Sequence, residues 1–151
     1  MVVTYRYVLP YAKEVVWSAL LDFGVLARVI PGVETLERVN ETKCDMSVKV
    51  GIPLVTGTYR GTVEISDKDP FDRYRLRGEA KGRLGWVKGE AALKLSDRTQ
   101  GTEVSAELTF HAGGLLAGVG QRLMEGIGKS MAREFFSALE RELGGRDTLK
   151  E

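Results

Sequence analysis

The chain is organised around GGLLAGVGQRLMEGIGKSMAREFFSALEREL, residues 113–143. Leu115, Val119, Leu123, Ile127, Met131, Phe135, Leu139 and Leu143 recur here every four residues. At about 3.6 residues per turn this spacing predicts one apolar stripe, winding slowly round a helix of about 30 residues. Arg122, Glu125, Lys129, Arg133, Glu140 and Glu142 occupy much of the remaining surface, so the helix should lie against a partner layer. Its first half carries Gly113, Gly114, Gly118, Gly120, Gly126 and Gly128. Each glycine costs about 1 kcal/mol of helix propensity relative to alanine. Six of them imply close backbone approach or empty volume beside the helix.

Upstream, Val2 to Leu9 is rich in β-branched and aromatic residues and predicts a first strand. A helix from Pro10 to about Leu21 follows, with Val15, Val16, Ala19 and Leu20 at helical spacing. Asp22 is placed to cap a second short helix carrying Phe23, Leu26 and Ile30, which Pro31-Gly32 ends as a type II turn. From Val33 to His111 the period falls to two. Runs such as Cys44-Met46-Val48-Val50, Tyr59-Gly61-Val63-Ile65 and Val87-Gly89-Ala91-Leu93-Leu95 alternate with polar residues. Turn chemistry separates them, so they predict an antiparallel meander of about six strands with one apolar face. The order is strand, two short helices, strands, long helix. This is an α+β arrangement of six to seven strands in a curved sheet wrapped on the C-terminal helix, one domain over residues 1–151.

The inward positions of that sheet include Gly61, Gly78, Ala80, Gly89, Ala91 and Ala106. Small residues on both facing layers leave two readings open: a cavity between helix and sheet, or glycines that permit strong sheet curvature.

Lys and Arg total 22 against 21 Asp and Glu in 151 residues, which excludes a general nucleic-acid binder. The N-terminus has no signal-peptide pattern, and no uncharged apolar run reaches the roughly 18 residues that span a bilayer. A lone Cys44 predicts a reducing compartment and a cytoplasmic protein. Enzyme and metal signals are weak. His111 is the only histidine, no Gly-x-Ser-x-Gly elbow accompanies it, and no His/Cys/carboxylate group has ligand spacing. Gly126-Ile127-Gly128-Lys129-Ser130 ends like a phosphate loop but falls inside the helix, where that chemistry has no use. Arg73, Arg75, Arg77, Lys81 and Arg83 give one strand a basic outer face, read as a solvated surface balanced by Glu64 and Glu90 or as a docking patch for acidic headgroups or an acidic protein.

Three segments carry a family likeness: Ile30-Pro31-Gly32-Val33-Glu34-Thr35-Leu36-Glu37; Gly57-Thr58-Tyr59-Arg60-Gly61-Thr62-Val63; and Asp67-Lys68-Asp69-Pro70 with Tyr74-Arg75-Leu76. With residues 113–123 and the Phe135-Phe136 pair, they resemble the carbon monoxide dehydrogenase G-subunit family, collinearly over essentially the whole chain. The resemblance implies a START-related helix-grip (START/Bet v 1-like) fold with a deep hydrophobic cavity. It also implies an accessory protein linking a molybdenum-containing carbon monoxide dehydrogenase to the membrane, with a quinone or lipid as bound guest and no built-in cofactor. Val33 departs from the Cys that many relatives place after Pro-Gly. The tail from Gly144 to Glu151 lacks the hydrophobic extension of some members. Transient contact at the inner face of the membrane is therefore expected in place of a stable anchor.

The expected ligand-lining residues are Leu26, Ile30 and Pro31 before the sheet; Gly61, Leu76, Gly78, Ala80, Val87, Ala91, Leu108 and Phe110 on it; and Leu116, Gly120, Leu123, Ile127 and Met131 along the final helix. Pro31-Gly32 and the glycine-rich helix start would form the gate. No catalytic or metal residue is assigned. The alternatives are an enzyme working through His111, Glu79 or Tyr59 on an apolar substrate in the same cavity, and a ligand-free adaptor docking through its basic strand.

Overall fold

A computed structural model of the chain describes residues 1–150, with side chains through Gly145. The elements are β1 (Val2–Leu9), α1 (Lys13–Leu20), α2 (Phe23–Val29), β2 (Val33–Arg38), β3 (Lys43–Val50), β4 (Gly57–Asp69), β5 (Arg73–Gly82), β6 (Gly85–Arg98) and β7 (Gly101–Gly114). A 3₁₀ turn (Leu115–Val119) and α3 (Gln121–Lys150) complete the chain. Seven antiparallel strands form one sheet in the order β1-β7-β6-β5-β4-β3-β2. This is the expected helix-grip arrangement.

Local chemistry sets the first crossover. The Asp22 carboxylate accepts from the Gly24 and Val25 amides at 2.8 and 3.2 Å and caps α2. Gly32 has φ +77°, as position three of a type II turn requires. The turn is also pinned: Lys49 N–H donates to the Gly32 carbonyl at 2.8 Å, and a Cβ on Gly32 would collide with the Lys49 carbonyl.

The long helix begins later than its periodicity predicts. Gly113 and Gly114 finish β7, with Gly114 at φ +68°, and Gly120 at φ +100° separates the 3₁₀ turn from α3. Two left-handed residues within seven break any continuous helix, so Leu115 and Val119 are not on it. A strict four-residue spacing also advances about 40° per step on an ideal helix. Accordingly Leu139 and Leu143 are fully buried, whereas Leu123 points outward and Met124 takes the inner position. The tail expected to carry no anchor lies, from residue 146 on, outside the described side chains. Among the described residues no helix is long and apolar enough to cross a membrane.

The core is uneven along the sheet. In the register rows nearest α1, Tyr74, Leu93, Leu95, Val104 and Ala106 pack with Trp17, Leu20, Phe136, Leu139 and Leu143. Further along, the inner rows read Ile65–Leu76–Ala91–Leu108, Val63–Gly78–Gly89–Phe110 and Gly61–Ala80–Val87–Ala112. Here glycine and alanine enter the inner rows, beneath residues 124–135 of α3. Space opens between the layers.

Candidate ligand cavity

That space is a cavity of about 500 Å³, inside the roughly 300–1,000 Å³ range of small-molecule sites. Strands β3 to β7 supply its floor, and Met124, Ile127, Gly128, Met131, Ala132 and Phe135 of α3 supply its roof. Ile30 and Pro31 line one side, and Val55, Tyr59 and Leu116 line one end. Thr62, Glu79, Glu90 and Thr109 border it, but strand alternation sends their side chains to the opposite face. The lining is otherwise aliphatic, aromatic and thioether. Its one hydroxyl is on Tyr59, which donates to the Val55 carbonyl at 2.6 Å. Burial raises the Tyr59 pKa above that of a free phenol. A neutral apolar guest fits such a chamber; a charged group would lose its hydration with nothing to replace it.

Cavity and curvature both operate, glycine by glycine. A Cβ on Gly61 would collide with the Glu79 carbonyl, and one on Gly89 would meet the Thr109 carbonyl and Phe110 Cβ at 2.9 Å. These two residues let adjacent strands approach and the sheet coil. A Cβ on Gly78 would meet only the Thr62 carbonyl oxygen at 3.5 Å and Val63 at 3.7 Å, ordinary contact distances. Gly78 is a vacancy in the wall, and Gly128 on α3 similarly has only Val3 and Phe110 near it, at 3.7 and 4.0 Å.

Of the residues expected to line the cavity, Ile30, Pro31, Gly61, Leu76, Gly78, Ala80, Val87, Ala91, Leu108, Phe110, Leu116, Ile127 and Met131 come together around it. Three do not. Leu26 is buried in the core with α1 and α3. Leu123 is exposed on the outside of α3, and Gly120 is a break between two helical segments with no neighbour within 4 Å of an added Cβ. The Pro31-Gly32 half of the expected gate is a pinned turn. Sequence reading missed Met46, Val48 and Val50, although their alternation on β3 marks them as inward. It also missed Met124, Gly128 and Ala132, which lie one residue off the four-residue stripe.

The enzyme candidates do not meet in the cavity. His111 and Glu79 lie on the outer face of the sheet, in a groove of about 490 Å³ that also holds Lys43, Glu64, Arg77, Lys88 and Glu90. Tyr59 lies on the inner face. Glu79 pairs with Lys88 at 3.7 Å. The basic strand is balanced in place, Arg73 by Asp69, Arg75 by Asp67 and Arg77 by Glu90, at 3.6, 3.8 and 3.5 Å. Cys44 is fully buried, which raises its thiol pKa and keeps it protonated. Among the described residues no group of three His, Cys, Asp or Glu stands close enough to hold a metal.

Comparison with known proteins agrees with this geometry. A conserved protein from Geobacillus kaustophilus superposes with a TM-score of 0.92 at 28% identity, covering 96% of each chain. A START superfamily protein from Mycobacterium smegmatis superposes at 0.73 with 12% identity, over 95% of this chain and 97% of that one. Ara h 8.0201 superposes at 0.72 with 15% identity, over 96% and 98%. At such identities the last two show the fold alone. No curated protein sequence matches the chain significantly. The family model for the carbon monoxide dehydrogenase G subunit (CoxG) matches residues 9–144, and the chain belongs to that family.

Proposed function

We propose that the protein is a non-enzymatic carrier, an accessory that holds a neutral apolar molecule, quinone-like or lipid-like, between α3 and the sheet. The observation that carries this reading is the apolar cavity of about 500 Å³ in a domain whose far half is fully packed. An empty apolar chamber costs about 20 cal/mol per Å² of its wall, so a sequence that keeps one open gives up stability for a reason. Burying about 300 Å² of ligand at about 25 cal/mol per Å² would yield about 7 kcal/mol, a ceiling of roughly 10 μM before entropic losses, so release is easy. Membership in the CoxG family supports service to a molybdenum-containing dehydrogenase, with transient contact at the membrane where such ligands reside.

The test is titration with N-phenyl-1-naphthylamine, a neutral probe that fluoresces in apolar surroundings. Saturable binding is expected, with its loss in Gly78→Leu, a position where an added Cβ meets its neighbours only at ordinary contact distances. Equal binding by the parent protein and the variant would reject the cavity as the site.

A further inference from the structure

The chamber's one hydroxyl is held at both ends of its side chain. The Tyr59 ring, 9% exposed, lies in the inner row beyond Gly61, opposite Val48. Gly82 makes room for it: a Cβ there would stand 2.9 and 3.0 Å from Tyr59 Cδ2 and Cε2. At the tip of the ring the hydroxyl donates to the Val55 carbonyl at 2.6 Å. That carbonyl belongs to a turn that is itself tied, since Val55 N–H and Thr56 Oγ1 both donate to the Ile52 carbonyl, at 3.2 and 2.7 Å. Ring and oxygen are both fixed.

A phenol oxygen carries one proton and two lone pairs. Here the proton is committed to Val55, and burial, by raising the pKa, keeps it on the oxygen at neutral pH. Among the described residues no group donates to that oxygen. What Tyr59 offers a guest is therefore acceptance alone. Because chained hydrogen bonds polarise one another, the donation to Val55 makes its oxygen a better acceptor. The other polar side chains that border the chamber, Thr62, Glu79, Glu90 and Thr109, point to the opposite face. A hydroxyl on the guest thus has one partner in the wall, and a carbonyl has none.

We propose that Tyr59 selects the guest: the chamber takes an apolar molecule that carries a hydroxyl, an alcohol or a phenol, and pairs that O–H with the Tyr59 oxygen. This rests on the reading of the cavity as a ligand site and adds the polar group its occupant bears. Of an oxidation pair that differs only as carbonyl and hydroxyl, the hydroxyl form is the one retained. A buried carbonyl would lose its water with no donor to replace it.

The test compares 2-naphthol, 2-methylnaphthalene and 2-acetylnaphthalene as displacers of N-phenyl-1-naphthylamine, from the parent protein and from a Tyr59→Phe variant that keeps the parent's circular dichroism. The variant loses only the phenol oxygen. It should bind 2-naphthol about tenfold more weakly, the cost of leaving a buried donor without its partner, and the other two within about twofold of the parent. Bound to the parent protein, 2-naphthol should also absorb to the red of the same molecule in hexane, the mark of a donated O–H, and the variant should abolish that shift. Equal losses of 2-naphthol and 2-methylnaphthalene, or no loss of either, overturn the selection and leave the carrier reading standing. A loss confined to 2-acetylnaphthalene overturns it as well, since the phenol would then be donating to the guest. A parent protein that takes up neither the fluorescent probe nor any of the three removes the cavity reading, and the selection with it.

Discussion

Where β1 leads into α1, the Lys13 ammonium donates to Asp72 at 2.7 Å and lies 3.8 Å from Asp97. Thr102 Oγ1 donates to the Tyr11 carbonyl at 2.8 Å, and Trp17 meets Tyr74 and Phe71 edge-on at 5.5 and 6.1 Å. Three turns and a helix are thereby tied together over a packed core. At the other end of the same strands leucines face water, and the space beneath is open. Glycines and alanines placed within three inner register rows separate these regimes. The contrast teaches that the closed half supplies the stability that lets the open half remain unfilled.

Substitutions that exchange the character of the two halves should have the largest effects. Leu139→Ala, in the packed half, should cost about 2–5 kcal/mol in denaturant unfolding, whereas Ile127→Ala, bordering the cavity, should cost well under that. Equal losses would break the distinction. Gly61→Ala should destabilise by about 3 kcal/mol or more, because its Cβ has no room beside the Glu79 carbonyl. Gly78→Ala should be nearly neutral and raise β propensity. Gly120→Ala, at φ +100°, should cost about 1–3 kcal/mol of strain, without filling the cavity.

How much of this is legible in the sequence follows the physics of each signal. The meander and the two short helices are legible because periods of two and 3.6 depend only on burial. The chamber is legible as a run of small inward residues, though not which glycines are vacancies: Gly61 and Gly78 look alike until the neighbouring carbonyls are in place. The start of α3 is hidden because Gly114 and Gly120 act through backbone angle, and a four-residue count passes straight over them. Leu123 follows from the same lesson, since a stripe drifting about 40° per step must leave one face.

A smaller effect probes the tie at the closed end. Lys13 holds the Asp72 carboxylate below its usual pKa. A lowered folded-state pKa contributes stability above the ordinary carboxylate range, and that stability is lost as pH falls through the depressed value. Asp72→Asn should therefore lower the thermal midpoint at neutral pH, and the difference from the parent protein should vanish in strong acid. A difference that persists there would mean that packing, and not the ion pair, makes the tie.

The most direct measurement is native mass spectrometry of freshly purified protein, followed by organic extraction of whatever it carries. A carrier with an open chamber should show a lipid- or quinone-sized adduct that extracts into organic solvent, and its Gly78→Leu variant should appear at its bare mass. A parent protein that stays at its bare mass, even after incubation with membrane lipid extract, would contradict the carrier reading.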